Sequence, residues 1–179
     1  MKAVRFYGPL DLRVEEVAEP QPDDESVIIK VRRASICNGS DTALFSGRRE
    51  RRIAYPWMEL PWIMGHECAG EVVAVGSKVS GFQIGDRVAS LKYGNAFAEL
   101  QKTTPAELIR LPAGMPYDQG TYMEPLWVTL SYRANVRPGD RVVVCGVGPS
   151  GLLLLQEAQG LGAARVCACL LYTSPSPRD

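Results

Sequence analysis

A glycine-rich turn between an apolar strand and a helix is the feature that most restricts the fold of this chain of 179 residues. Residues 141–145 form a short, nearly continuous apolar segment, and residues 149–161 have the composition of a helix that Gly162 ends. Three glycines in a Gly-x-Gly-x-x-Gly pattern, Gly146, Gly148 and Gly151, occupy the turn between them. A second apolar segment follows at residues 164–168. This order predicts a strand–turn–helix–strand unit of a parallel sheet.

The same three glycines predict a dinucleotide-binding turn. In this context Gly146 permits the tight turn, Gly148 lets a pyrophosphate approach the backbone, and Gly151 lets the helix pack closely behind it. The alternative is an ordinary glycine turn between a strand and a helix. An acidic residue about 20 positions further on would hold the ribose of NAD, but residues 158–178 contain no Asp or Glu. The sequence therefore leaves NAD and NADP equally open.

The part of the chain before residue 112 has the pattern of a small β-barrel instead. Short strands are predicted at residues 1–7, 11–17, 27–31, 71–75, 87–91, 96–101 and 108–111. Turns rich in Gly, Pro and Asp separate many of them, and closely spaced short strands are typical of a barrel. Residues 117–135 then favour helix, with an interruption near Pro125.

Composition excludes several classes of protein. Twenty basic residues balance 20 acidic ones, so we expect no nucleic-acid partner, and the basic run at residues 48–52 is expected to be a solvated loop unless it binds a phosphate or a partner. Apolar runs are too short to span a bilayer, and no signal-peptide core follows Met1, so we expect a cytoplasmic protein without a membrane partner. Five cysteines without Cys-x-x-Cys spacing make a disulfide framework unexpected.

His66 is the only histidine in the chain, and it stands beside Glu67. Because imidazole is neutral and basic near pH 7, His66 is a candidate metal ligand or general base, the alternative being a hydrogen-bonded structural residue. Gly65 precedes the pair, and Gly70 and Gly76 follow it along an alternating strand. This pattern resembles the zinc signature of the zinc-dependent medium-chain alcohol and polyol dehydrogenases. The resemblance extends over residues 1–166.

The resemblance implies a mixed α/β fold with two domains. A GroES-like β-barrel catalytic domain would occupy residues 1–125, and the beginning of a Rossmann doubly wound cofactor domain would occupy residues 126–169. Residues 170–179, with two prolines, fit neither a strand end nor a following helix, and we expect this tail to be non-native or disordered. Only the first strand–helix–strand of the cofactor domain would then be present, so the fragment itself is expected to be inactive.

The resemblance also implies a zinc site held by Cys37, His66 and Glu124. Cys37 lies in the segment Ser-Ile-Cys-Asn-Gly-Ser-Asp, which is similar to the Cys-Gly-Ser-Asp element of the family. Glu124 lies in Met-Glu-Pro-Leu, which is similar to the Glu-Pro-Leu element of the polyol dehydrogenase branch. Each residue has a structural alternative: Cys37 as a small buried residue, and Glu124 as an acid favoured at a helix start.

Two further residues take catalytic roles by this resemblance. Ser40 would be the proton-relay hydroxyl, and Glu67 an occasional fourth ligand or a carboxylate behind the ligands, the alternative for Glu67 being a surface charge. Asp41 follows Cys37 by four residues where the family element has three, and the histidine that many relatives place beyond this Asp is absent. Any proton relay would therefore end in water, a ribose hydroxyl or another group.

The function implied for the parent protein is the NAD- or NADP-dependent oxidation of a secondary alcohol of a polyol or sugar derivative to a ketone. Zinc would activate the small-molecule alcohol, and the parent would be a homo-oligomer, a dimer or a tetramer. Two alternatives stay open: a zinc-free reductase of the same superfamily, and a non-catalytic binding module built on the barrel. The individual substrate cannot be read from the residues.

Overall fold

The computed structural model describes residues 1–48 and 58–170. The predicted solvated loop around residues 49–52 and nearly all of the atypical tail lie outside the described residues. The chain divides into one compact unit, Met1–Glu124, and a second that begins at Pro125. None of the helices in the described part of the chain has both the length and the apolar character needed to cross a bilayer.

Within the described residues, the first unit contains two antiparallel sheets and two short α-helices. A five-stranded sheet has the order β7-β3-β5-β6-β8, and a three-stranded sheet has the order β2-β1-β4. The strands are β1 Lys2–Gly8, β2 Asp11–Glu16, β3 Val27–Ser35, β4 Trp62–Ile63, β5 Glu67–Val75, β6 Arg87–Ser90, β7 Leu100–Thr103 and β8 Leu108–Arg110. The helices are α1 Asp41–Phe45 and α2 Tyr117–Gly120.

The pairing of β3 with β5 forms the centre of the larger sheet. Ile29 and Val72 are paired in this register, and both are completely buried in the cluster that forms the main core. Gly70 lies where the register shifts, and a Cβ atom at this position would lie 2.1 Å from the carbonyl oxygen of Lys30. The close approach of the two backbones therefore requires glycine here.

The stretch before β7 joins the two sheets, and here the sequence prediction was wrong in detail. A strand was expected at residues 96–101, but regular pairing begins only at Leu100. The preceding residues hydrogen-bond to both sheets: Val4 N donates to the Phe97 carbonyl oxygen, and Val31 N donates to that of Glu99. A segment that shares its backbone groups between two sheets satisfies them without belonging to a continuous ladder.

The second unit contains the predicted parallel unit. Strand β9 Arg141–Cys145 leads into helix α4 Pro149–Gly160, and β10 Arg165–Cys169 returns parallel to β9. Helix α3 Met123–Leu130 precedes it. The predicted interruption near Pro125 is present, because α2 ends at Gly120 and α3 begins only at Met123. Pro125 itself lies in the first turn of α3, where the missing N–H of proline has no helical partner to lose.

We expect Ile29→Ala to lower the free energy of unfolding by about 2–5 kcal/mol, since it deletes a fully buried side chain from the main core. Ile84→Ala is the matched control, because Ile84 is 68% exposed and its loss is expected to change stability by less than about 0.5 kcal/mol. Urea unfolding of both variants provides the measurement, and equal losses would contradict this description of the core.

Candidate metal centre

The end of β3 and the start of β5 bring three potential metal ligands together. Ser35 is paired with Glu67 at this end of the sheet. Cys37 follows β3 by two residues, and His66 immediately precedes β5. One ligand atom each from Cys37, His66 and Glu67 can be chosen so that all three lie within 4.8 Å of one another.

This donor set fits the zinc ion that the sequence predicts. Thiolate, imidazole and carboxylate are the ligands that zinc takes in proteins, and bond lengths of about 2.0–2.3 Å place ligand atoms roughly 3.5 Å apart around a tetrahedral ion. The observed separations of up to 4.8 Å need a contraction of about 1 Å. His66 and Glu67 are buried and Cys37 is partly buried, so the group is shielded on most sides.

Glu124, the third predicted ligand, lies close enough for its charge to affect this group. It is in the first turn of α3, and it does not join Cys37, His66 and Glu67 in the set of close ligand atoms. Burial raises the pKa of Glu124, the charge of His66 opposes this, and the charges of Glu67 and Asp41 raise the pKa further. Its role as a metal ligand stays a prediction.

Asp41 holds two members of the group, and the sequence analysis missed this role. Its Oδ2 accepts a hydrogen bond of 2.9 Å from the backbone N–H of Cys37, and its Oδ1 lies 3.5 Å from Nδ1 of His66. Asp41 is 4% exposed, and its neighbour on the same face of α1, Leu44, is buried against Phe6. A carboxylate at Nδ1 favours the tautomer whose Nε2 is free to bind a metal.

Ser40 lies beside the same imidazole, on the side of Nε2. It occupies the N-cap position of α1, but its side chain makes no capping hydrogen bond. Its Oγ is instead 3.4 Å from Nε2 of His66, the nitrogen that also lies 3.9 Å from Oε1 of Glu67. Ser35 donates a hydrogen bond of 2.6 Å to the other oxygen, Oε2, of Glu67. Of the two predicted catalytic residues, Glu67 therefore belongs to the group and Ser40 lies beside it, although their roles stay predictions.

Without a metal, the surroundings favour a protonated imidazole at His66 and lower the pKa of the Cys37 thiol. Burial on its own lowers the pKa of His66, but hydrogen bonds with Asp41 and Cys37 and the charges of Asp41 and Glu124 raise this pKa to about 10. The hydrogen bond to His66 lowers the pKa of Cys37 against the effect of burial, and Ser40 contributes in the same direction. A metal ion that binds here must displace the proton of His66.

An aromatic stack covers the imidazole and was also not predicted. The ring centroids of Tyr93 and His66 are 4.6 Å apart with an interplanar angle of 21°. Trp62 stacks on Tyr93 at 5.9 Å and 16°. The sequence gave no indication of this arrangement, because Tyr93 lies 27 residues after His66 in a turn without periodicity.

The three glycines of the predicted pyrophosphate turn have different surroundings in the second unit. Gly146 has φ +97°, and a Cβ atom at Gly151 would lie 2.0 Å from the carbonyl oxygen of Gly146, so the helix packs directly on the turn. Gly148 is the N-cap residue of α4, and nothing lies within 4 Å of where its Cβ would be. This open helix N-terminus fits an anion, and binding of a dinucleotide stays a prediction.

Comparison with known proteins gives a consistent family likeness. The model of the alcohol dehydrogenase GroES-like domain matches residues 23–136. The chain is 30% identical to sorbitol dehydrogenase of Bacillus subtilis, over 93% of the chain and 54% of that protein. It is 32% identical to acryloyl-coenzyme A reductase of Sulfurisphaera tokodaii, over 91% of the chain and 57% of that protein.

A solved structure agrees with these relatives. The crystal structure of 2R,3R-butanediol dehydrogenase from Bacillus subtilis superimposes with a TM-score of 0.78 at 31% identity, over 93% of this chain and 57% of that one. The chain thus spans about half the length of the curated relatives it matches.

We expect the purified chain to bind about one zinc ion, and His66→Ala to abolish binding, because it removes the only imidazole. Cys37→Ser should weaken the affinity by more than the roughly 10–100-fold that loss of an outer-shell partner costs. Cys145→Ser is the matched control, since Cys145 is exposed and outside the group. Elemental analysis and chelator competition measure these effects, and an unchanged metal content in folded His66→Ala would contradict the site.

We also expect zinc affinity to rise with pH by about tenfold per pH unit from pH 7 to 9, because one proton must leave His66, whose pKa is raised to about 10. Asp41→Asn weakens the hydrogen bond and removes the charge that raise the pKa of His66. The increase of zinc affinity with pH should therefore level off at a lower pH in this variant. Chelator competition at several pH values gives the slope. A pH-independent affinity in this window would contradict the raised pKa.

Proposed function

Because the chain belongs to the alcohol dehydrogenase GroES-like domain family, we propose that it provides the catalytic part of a zinc- and NAD(P)-dependent dehydrogenase acting on secondary alcohols of polyols or sugar derivatives. The match confirms the resemblance drawn from the glycine-flanked His-Glu pair, and with it the GroES-like fold. The observation that carries the proposal is the buried group of Cys37, His66 and Glu67.

The protein's own residues hold the metal and handle the proton. Bound zinc supplies Lewis acidity, which lowers the pKa of an alcohol hydroxyl. Cys37 and His66 provide two ligands, and Asp41 fixes both of them through a backbone N–H and a ring nitrogen. Ser40 provides a hydroxyl 3.4 Å from Nε2 of His66 that can take the proton of the alcohol and pass it on.

Two carboxylates are candidates for the third protein ligand. Glu124 is the ligand that the Glu-Pro-Leu element favours, and a metal cation would offset the burial and the like charges that raise its pKa. Glu67 is nearer to Cys37 and His66, and coordination through Oε1 would leave its hydrogen bond from Ser35 to Oε2 intact. Comparison of Glu124→Gln with Glu67→Gln in the zinc titration distinguishes them.

Gly146, Gly148 and Gly151 are proposed to bind the pyrophosphate of the nicotinamide cofactor. The support is the open N-terminus of α4. Its N-cap residue, Gly148, has no side chain, and nothing lies within 4 Å of where a Cβ would be, so an anion can approach the backbone N–H groups of the first turn. The cofactor supplies the hydride acceptor. NAD and NADP are not distinguished. The cytoplasmic location and the dimeric or tetrameric state of the parent stay predictions.

The relatives favour a secondary alcohol as substrate but include one alternative. Sorbitol dehydrogenase and butanediol dehydrogenase are named for substrates with secondary hydroxyls. The similarity to acryloyl-coenzyme A reductase favours the second candidate, a reductase of the same superfamily. If the chain is such a zinc-free reductase, the group around His66 will not bind zinc, and activity will not respond to chelators.

We expect this chain, joined to the remaining cofactor domain of the Bacillus subtilis butanediol dehydrogenase, to reduce NAD or NADP faster with butanediol or sorbitol than with ethanol. His66→Ala should abolish turnover, and the unextended chain should show none, because misplacement of a reactant by about 1 Å can cost about 100-fold in rate. Absorbance of the reduced cofactor provides the measurement. Comparable rates with ethanol and sorbitol would contradict the polyol assignment.

A further inference from the structure

Gln101 is a polar side chain that is completely buried in the core of the first unit. It lies in β7, opposite Ile29 of β3. Its Nε2 donates a hydrogen bond of 2.7 Å to the carbonyl oxygen of Gly94, and its Oε1 accepts one of 3.5 Å from Sγ of Cys68. A buried amide is costly unless both ends are hydrogen-bonded, so the side chain is held in a single orientation.

The partner of this amide, Gly94, is restrained on another side by Trp62. Gly94 has φ +96°, and a Cβ atom at this position would lie 2.3 Å from Cζ2 of the indole ring. The next residue, Asn95, donates its backbone N–H to the carbonyl oxygen of Ile63 over 2.9 Å. Gly94 is therefore fixed between the amide of Gln101, the indole of Trp62 and the backbone of β4, and the residue before it, Tyr93, is fixed with it.

Tyr93 contacts the imidazole at the centre of the candidate metal site. Its ring stacks on His66 with the centroids 4.6 Å apart. The edge of the same imidazole faces Asp41 at Nδ1, and Ser40 and Glu67 at Nε2. Groups at the ring edge determine which way each nitrogen points, whereas a ring stacked on the face resists rotation of the imidazole out of its plane.

We propose that Gln101 is a positioning residue for the metal site: by holding the carbonyl of Gly94 it keeps the Tyr93 ring against His66, and so fixes the plane of the imidazole relative to Cys37 and Glu67. The inference rests on the proposed metal site. The acceptor end of the Gln101 amide also helps to position the site. It accepts the hydrogen bond of Cys68, which directly follows Glu67 in β5. One buried side chain thus connects the loop that carries Tyr93 with the strand that carries the carboxylate.

The test uses chain 1–179 as wild type, Gln101→Met, Tyr93→Leu and the double variant, with Thr103→Val as the matched control. Thr103 is also buried, two residues further along β7, and its hydroxyl donates a partly buried hydrogen bond to Glu107, so its loss removes a hydrogen bond of this strand without touching the loop at Gly94. Zinc dissociation constants are measured by chelator competition, and folding by circular dichroism and the midpoint of thermal unfolding.

We expect Gln101→Met and Tyr93→Leu each to weaken zinc binding about tenfold, as loss of an outer-shell partner does. The double variant should bind no more weakly than Tyr93→Leu, because Gln101 acts through that ring. Thr103→Val should lower the unfolding midpoint and leave the zinc affinity unchanged. An unchanged affinity in folded Gln101→Met, or a loss of about 100-fold in the double variant, which is the product of two independent tenfold losses, would overturn the proposal.

Two further measurements keep the proposal decidable. If Gln101→Met does not fold, Gln101→Leu replaces it, since leucine also removes the donor to Gly94 and should show the same weakening. Trp57→Phe with Trp127→Phe leaves Trp62 as the sole indole of the three in the sequence. In that background Gln101→Met should shift the Trp62 emission and Thr103→Val should not, with or without zinc.

The emission measurement tests the positioning role of Gln101 separately from the proposed zinc-dependent function. If wild type binds no zinc, the proposed function fails, while the Trp62 emission still reports whether Gln101 holds the aromatic stack. An emission spectrum that is the same in wild type and Gln101→Met would overturn the positioning role.

Discussion

The antiparallel pairing of β3 with β5 is the interaction on which the candidate site depends. Its buried central part, with Ile29 opposite Val72, belongs to the main core, and its end pairs Ser35 with Glu67. Because the register is set by the buried part, the position of Cys37 relative to His66 follows from packing some distance away. A slip of one residue would turn Glu67 to the opposite face of the sheet.

Charge is the second constraint on the site. Asp41, Glu67 and Glu124 all lie near the imidazole of His66, and two of the three carboxylates are buried. Burial of like charges is unfavourable unless a cation is present. In the metal-free chain the proton of His66 partly fulfils this role, which explains why its pKa is raised despite burial. A divalent metal would fulfil it better, and the same charges that raise the pKa of His66 would attract the ion.

The site is also held by residues that make no contact with a metal position. Asp41 orients the edge of the imidazole, and Tyr93 covers its face. Behind Tyr93 lies the glycine turn at Gly94, which accepts the hydrogen bond of Gln101. Side chains held by packed and hydrogen-bonded neighbours lose little conformational freedom when a ligand binds, so this rigidity favours binding.

Local sequence determined the elements and the chemistry. Strands β1, β2 and β6 and the unit β9–α4–β10 begin and end within one or two residues of the expected positions, because alternation, glycine turns and proline at a helix start are local signals. Cys37, His66, Glu67 and Ser40 were identified from motifs and lie together. Tertiary structure alone decided that β5 begins at Glu67 rather than at residue 71, and that residues 96–99 join two sheets. It also decided which side chains support His66, namely Asp41, Tyr93 and Gln101. These features depend on contacts between residues far apart in the chain or on side-chain direction, and neither leaves a periodic pattern in the sequence.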